Sequence, residues 1–247
     1  MHMAGHHPPV EEYLELVLEL EESGVPPMRA RLVERLGVSA PAVSETVGRL
    51  EREGYVVLDP ARVIQLTKSG RVFATSIMRR HRLAERLLVD VIGVPWSQVH
   101  EEAGRLEHAI SPTLEPYLVA LLGDPATCPH GNPIPGSANA VEAERLVPLS
   151  AVAVGGRAVV RRIDEELEAQ LERMRELERL GLLPGCHVRV DALVDGVLVL
   201  ELLDERSGSV RLDATVAARV YVGAVPHAAA DVSGGRPAVT AAVSPAA

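Results

Sequence analysis

Apolar residues recur at helical spacing through the first half of the chain and alternate through its last third, and these two rhythms divide the sequence. Pro8 and Pro9 lead into EEYLELVLELEESG, where Leu14, Val17 and Leu18, followed by Glu21, step along successive turns and Gly24 stands past the end as a cap. A second helix, MRARLVERLG, ends at Gly37. Ser39 caps a third, APAVSETVGRLEREG, with Pro41 in its first turn and Gly54 at its end. The extended runs YVVL and VIQL, joined by the turn DPAR, complete a winged helix-turn-helix over residues 1–73.

Thr67 caps the next pattern, TKSGRVFATSIMRRHRLAERLLVDVIG, whose Val72, Ile77, Leu83, Leu87 and Leu88 recur at helical intervals. WSQVHEEAGRLEHAI follows and, after Ser111 and Pro112, LEPYLVALLG; helices this apolar suit an interface between two subunits. DPATCPHGNPIPGSANA reads as an ordered loop running into a linker, closing a helical domain over residues 74–140. Beyond it VAVGGRAVVRRI, CHVRVDALV, VLVLELL, SVRL and RVYVGAV surround one amphipathic helix, EELEAQLERMRELERLG, with Leu167, Leu171, Met174 and Leu177 on its buried stripe. Short strands plus one helix predict a small β-barrel over residues 141–225, and residues 226–247 read as a disordered tail.

Composition narrows the function. No run of eighteen apolar residues and no charged-then-apolar leader occurs, which predicts a cytoplasmic protein without a membrane span. The opening MHMAGHH resembles an added leader, so His2, His6 and His7 are set aside. A net charge of -9 argues against a generic nucleic-acid binder, yet the stretch from Arg29 to Arg86 carries 12 basic against 6 acidic side chains. Such a cationic island neutralises phosphates locally while the acidic remainder opposes indiscriminate binding. Six aromatic residues offer little for stacking single strands, so duplex DNA is the expected nucleic acid. Cys128 and Cys186 lie too far apart in sequence for a zinc knuckle and form no disulfide framework.

The stretch VHEEAGRLEH carries the chemistry. Wound as one helix it aligns His100, Gly104, Glu107 and His108 on a stripe beside the apolar Val99, Ala103 and Leu106. Three potential ligands on one stripe are compatible with a solvated face, an acid-base pair or a metal site. A metallohydrolase with Glu107 as base is disfavoured, since no HExxH or nucleophile constellation appears.

Taken together, RARLVERLGVSAPAVSETVGRLEREGYV, MRRHRLAERLLVDVIG, VHEEAGRLEHAIS and CPHGNPIPG resemble the DNA-reading unit, the metal-bearing dimerisation helices and the loop of the diphtheria toxin repressor family, over about residues 10 to 225. The resemblance implies a mainly α fold with a small β domain: an N-terminal winged helix-turn-helix, a helical metal-binding and dimerisation domain, and a C-terminal Src-homology-3-like β-barrel. It implies a homodimeric repressor of metal-homeostasis genes, not an enzyme. Mn²⁺ or Fe²⁺ would activate it, Co²⁺, Ni²⁺ or Zn²⁺ would substitute in vitro, and its partner would be palindromic double-stranded operator DNA.

The same resemblance implies a primary site at Glu12, Glu107 and His108. Gly104 falls where iron-type members carry cysteine and manganese-type members a carboxylate, so a water or the residue 104 carbonyl would complete the ligands; glycine there also reads as close helix packing. Glu15 and His81 match further manganese-type positions. A second site is implied at His81, Glu85 and His100, completed by Glu165 and Glu168 or by Cys128 and His130. Seven donors cannot serve one ion, so a subset is expected. Against it, Cys128 reads equally as a buried thiol, and Glu165 and Glu168 as acids at a helix start. Carboxylate and imidazole donors suit Mn²⁺ or Fe²⁺.

On the DNA side, Ser39, Pro41, Ser44 and Glu45 open the recognition helix, the part that reaches base edges, while Arg29, Arg31, Arg49 and Arg52 are placed for phosphates. Iron-type relatives carry glutamine where this chain has Glu45, and a glutamate accepts from cytosine N4. Glu45 is equally spaced to pair with Arg49 one turn on. The alternative for the whole chain is a winged-helix regulator that senses an organic ligand and keeps a vestigial metal site, which Gly104 favours.

Overall fold

A computed structural model describes residues 10–140, 144–204 and 208–224. The histidine-rich opening and the segment 226–247, read above as a disordered tail, lie outside the described residues.

Helix α1 (Val10–Glu22) buries Tyr13, Leu14, Val17 and Leu18 against α2 (Arg29–Leu36), α3 (Ala40–Arg52) and the antiparallel hairpin of β1 (Val56–Leu58) and β2 (Ile64–Leu66). Ser39 caps α3 by accepting from the Ala42 amide, and Gly37 ends α2 with a φ of 65°. Thr67 caps α4 (Lys68–Arg86) by accepting from the Gly70 amide. Gly70 admits no Cβ, because one there would collide with the Tyr55 carbonyl.

Helix α4 is the spine of the molecule. Its first half places Ala74 and Met78 in the winged-helix core; its second half places Leu83 and Ala84 in a separate core with Val99, Ala103, Ile110, Leu118 and Ile134. Val72, expected on the apolar side, is exposed, because it lies on the face of α4 opposite Gly70, Ala74 and Met78, which pack on the winged helix. The helix loosens into a π-helical turn over Leu87–Ile92 and ends at Gly93.

Two expected helices are interrupted. The stretch 99–108 is helical as α5 (Val99–Leu106) and then tightens into a 3₁₀ turn, Glu107–Ala109, before α6 (Glu115–Leu122). The stretch 165–181 is split into α7 (Glu165–Glu168) and α8 (Leu171–Leu180) around Gln170, whose side-chain amide donates to the Glu166 carbonyl. The break lets Leu167 enter the barrel core while Glu165 and Glu168 turn inward, and it leaves Leu171 only half-buried.

The C-terminal Src-homology-3-like domain is a six-stranded antiparallel sheet. Adding β3 (Val147–Pro148), β4 (Arg157–Ile163), β5 (His187–Val194), β6 (Val197–Leu202), β7 (Gly208–Asp213) and β8 (Val220–Ala224), the strand order is β3-β8-β4-β5-β6-β7. Alternate residues such as Val188 and Val190, or Leu198, Leu200 and Leu202, point into one core. Register shifts after Val160 and Val190 bend the sheet around that core. Trp96, between the π turn and α5, joins the same core and ties the barrel to the helical region. The fold expected for the family is thus present, from winged helix through helical region to barrel.

Candidate metal centre

Helix α4 presents His81 and Glu85 one turn apart, both buried. His81 Nδ1 lies 2.6 Å from Glu107 Oε2 and 3.9 Å from Glu15 Oε1, so α1, α4 and the turn after α5 converge on one imidazole. Glu15 Oε1 is buried without a hydrogen-bond partner. Burial raises the Glu15 carboxyl well above its usual range, with the neighbouring Glu107 adding to it and His81 opposing. A buried carboxylate in this condition is short of positive charge.

On its other side His81 Nε2 lies 3.1 Å from His100 Nδ1 and 3.4 Å from Glu85 Oε1. Glu85 Oε1 is also 3.2 Å from His130 Nδ1, and Glu85 Oε2 is a second buried oxygen without a partner. Burial disfavours the Glu85 carboxylate, but His130, His100 and His81 outweigh it and hold the carboxyl well below its usual range. Cys128 completes a third group with Glu85 and His130, its thiol pushed up to about 12 by burial. Glu168 Oε2 reaches His130 Nδ1 at 2.9 Å and His100 Nδ1 at 3.4 Å.

The loop that supplies Cys128 and His130 is held from three sides. Arg86 donates to the Thr127 and Cys128 carbonyls, Trp96 Nε1 donates to the Pro129 carbonyl, and the Ile163 amide of β4 donates to the His130 carbonyl. Gly131, at a φ of 89°, lies where a Cβ would strike the Arg161 carbonyl, so only glycine fits between loop and strand.

The residues fit a divalent ion. Three groups, Glu15–His81–Glu107, His81–Glu85–His100 and Glu85–Cys128–His130, each bring their ligand atoms within 4.8 Å of one another, and the two unpartnered carboxylate oxygens belong to them. A cavity of about 460 Å³ runs along the cluster and is also lined by Glu12 and Gly104.

The structure separates the residues aligned by helical spacing. His100, in the first turn of α5, faces Glu85 and Glu168; where the helix tightens at Glu107, Glu107 turns to His81 and His108 turns outward to Glu11 at 2.7 Å, with its Nε2 3.5 Å from Glu107 Oε1. Gly104 is not a close-packing glycine, since a Cβ there would meet nothing within 4 Å. Glu165 is drawn away from the histidines by Arg82, whose Nη2 sits 2.7 Å from Glu165 Oε1. Sequence reasoning missed Arg82 and Asn132. Arg82 continues the buried stripe of Ala74 and Met78, a phase signal that its charge concealed; Asn132 donates to Glu168 Oε1 at 2.6 Å and orients it, and carries no local signal.

On the opposite end, Ser39, Pro41, Ser44, Glu45, Arg49 and Arg52 are all exposed on or beside α3. Arg31 is exposed and pairs with Glu34 at 3.0 Å, whereas Arg29 is half-buried. Among the described residues no ion pair joins Glu45 to Arg49, so the carboxylate stands open at the start of the helix.

Comparison with known proteins places these features. Residues 7–64 match the iron dependent repressor N-terminal DNA binding domain, residues 67–136 the iron dependent repressor metal binding and dimerisation domain, and residues 147–224 the FeoA domain. The iron-dependent repressor IdeR of Mycobacterium tuberculosis is 44% identical over 199 residues, covering 75% of this chain and 85% of that protein. The diphtheria toxin repressor of Corynebacterium diphtheriae is 39% identical over 218 residues, covering 82% and 96%. Among solved structures, a manganese-dependent transcriptional repressor in complex with manganese superposes with a TM-score of 0.78 at 33% identity, covering 87% of this chain and all of that one.

Proposed function

The chain belongs to the diphtheria toxin repressor family of iron-dependent repressors, and on that premise we propose that it is a transcriptional repressor of metal-homeostasis genes whose operator binding is switched on by Mn²⁺ or Fe²⁺. The observation that carries this reading is the meeting of Glu15, from the winged helix, with His81 and Glu107 of the helical region around an unpartnered buried carboxylate oxygen. Carboxylate and imidazole donors suit hard divalent ions, and the thiol of Cys128 gives the neighbouring group a softer member. A bound ion would supply the positive charge that lets Glu15 and Glu107 face each other ionised.

The protein side of the switch follows from packing. Glu12 and Glu15 belong to α1, whose Leu14 and Val17 share one core with Val43 and Val47 of α3, so drawing α1 toward α4 fixes the tilt of α3. A second copy of the chain would dock on the face that exposes Val91, Ile92, Leu114, Tyr117 and Leu121, within the stretch matching a dimerisation domain. Two recognition helices enter successive major grooves only at a defined separation, so the metal-bound arrangement has the higher affinity for a palindromic duplex. The reading as an organic-ligand sensor is set aside. Its support was Gly104, yet the donors around that glycine converge, and the relatives are iron- and manganese-dependent repressors.

Selection from a randomised duplex library tests the proposal. With Mn²⁺ the full chain should enrich a two-fold symmetric motif, and with chelator none; the same motif selected under both conditions would refute metal activation. Among the described residues no helix is long and apolar enough to cross a membrane.

A further inference from the structure

The cavity of about 460 Å³ beside the donor groups reaches from buried side chains out to solvent. Glu15, His81 and Glu107 line it and are buried; Glu101, Glu102 and Arg105 line it from α5 and are exposed. Gly104 lines it as well, without a side chain to fill it.

The lining is strongly one-signed. It holds seven glutamates against one arginine and two histidines. Even with Glu15 neutralised by its burial and both imidazoles charged, six anions face three cations. A recess lined by one sign of charge between low-dielectric walls focuses the field and concentrates counter-ions at its mouth. The unpartnered, buried Oε1 of Glu15 belongs to this recess, so the field leads toward a place that lacks positive charge.

Arg105 tempers the field at the rim. Its Nη1 lies 2.5 Å from Glu102 Oε1, and its Nη2 contacts Glu101 Oε1. Exposed pairs one turn apart on a helix contribute little to stability, and acids in a first helical turn are favoured by the helix dipole alone. Neither effect accounts for placing all three side chains on the recess that leads to Glu15.

Resting on the metal-binding reading above, we propose that this recess is the uptake route for a divalent cation: Glu101 and Glu102 draw the hydrated ion from solvent, and Arg105 restrains capture by neutralising part of their charge. The rim glutamates set how fast the ion arrives, and the buried donors set how tightly it is held.

Stopped-flow mixing of the metal-free full chain with Co²⁺ tests the route. Trp96, the chain's one tryptophan, reports arrival by quenching, since its ring centroid lies 4.7 Å from that of His130; excess chelator then reads departure. At low salt, Glu101→Gln combined with Glu102→Gln should slow association about ten-fold, and Arg105→Gln should speed it about three-fold. Both differences should shrink at high salt, while dissociation changes by less than about two-fold. Glu34→Gln combined with Glu51→Gln removes the same charge from exposed positions on α2 and α3 and should associate as the wild-type chain does. Equal slowing in that control, no slowing in the rim pair, or no gain in Arg105→Gln would overturn the route while leaving the metal centre standing. So would a rim pair whose dissociation accelerates as much as its association slows, because the rim glutamates would then be ligands. A wild-type chain that takes up no Co²⁺ by calorimetry would overturn the metal-binding reading itself.

Discussion

Arg82 and Glu165 form a buried ion pair, Nη2 to Oε1 at 2.7 Å, where the winged helix, the spine helix and the barrel meet. The same guanidinium donates to Glu22 of α1 at 2.6 Å and to the Pro133 carbonyl at 2.6 Å. A planar fork spreads its donors over three nitrogens and so reaches three elements at once, whereas a lysine would have to gather all of them at a single nitrogen. Truncation leaves Glu165 buried and uncompensated, so Arg82→Ala should cost about 3–5 kcal/mol in urea denaturation of the metal-free chain. Arg82→Met combined with Glu165→Leu should recover most of that loss. An unchanged midpoint for Arg82→Ala would show that the three units hold together without it.

At the primary position the expected outcome is loss of the switch without loss of the fold. Glu12→Ala and Glu107→Gln change residues on different elements that line one cavity, so each should abolish Mn²⁺-stimulated DNA binding in anisotropy titrations while sedimentation stays as in the wild-type chain. His108→Ala should act likewise, because its Nε2 already faces Glu107 while its Nδ1 contacts Glu11. Full metal stimulation in all three would place the switch elsewhere.

Caps and glycines made the element boundaries readable from sequence. Ser39, Thr67, Gly37 and Gly93 stand where the helices start and stop because their side-chain oxygens or positive φ values are local requirements. His81 and Glu85 were readable for the same reason, being one turn apart on an uninterrupted helix. The interruptions at Glu107 and Gln170 were not. Local propensity favours continuing both helices, and what breaks them is distant: Glu107 is wanted by His81 on α4, and Leu167 by the barrel core. Helical spacing therefore set His100, Glu107 and His108 on one stripe, whereas the tightened turn gives Glu107 to His81 and His108 to Glu11.

Gly104 offers a direct test of selectivity. A Cβ there would meet nothing within 4 Å, and the position lines the cavity. Gly104→Glu should tighten Mn²⁺ by adding a hard oxygen donor, and Gly104→Cys should shift preference toward softer ions such as Zn²⁺. Both variants should also gain up to about 1 kcal/mol of helix stability relative to glycine. Identical calorimetric affinities for Mn²⁺ and Zn²⁺ in all three proteins would remove residue 104 from the site.

Metal uptake should release protons. Burial disfavours the His100 cation, but the carboxylates of Glu168 and Glu85 outweigh it and raise its pKa from 6.5 to about 9. In the metal-free chain that contact contributes stability fully present below pH 6.5 and lost as pH rises through about 9. His130 is raised in the same direction, against burial, by Glu168 and Glu85. A ligating imidazole must surrender its proton, so Zn²⁺ affinity should climb between pH 6.5 and about 9. Calorimetry at neutral pH in two buffers of different ionisation enthalpy measures the protons released; equal apparent enthalpies would mean the histidines were already neutral.

Specificity for DNA should rest on Glu45. Its carboxylate is exposed at the start of α3 with no ion pair to Arg49, free to accept from cytosine N4 in the major groove. Glu45→Gln is expected to weaken binding to the selected motif by about 1–3 kcal/mol and to change the preferred base at one position per half-site. Arg49→Ala should weaken all sequences alike and lower the salt slope by about one unit, as a phosphate contact does. Removing a negative charge from the groove adds a sequence-independent gain that offsets the loss, so the selected motif is a better readout than affinity. If Glu45→Gln selects the wild-type motif, recognition passes to Ser39, Pro41 and Ser44, which are also exposed at the helix start, and to the shape of the duplex.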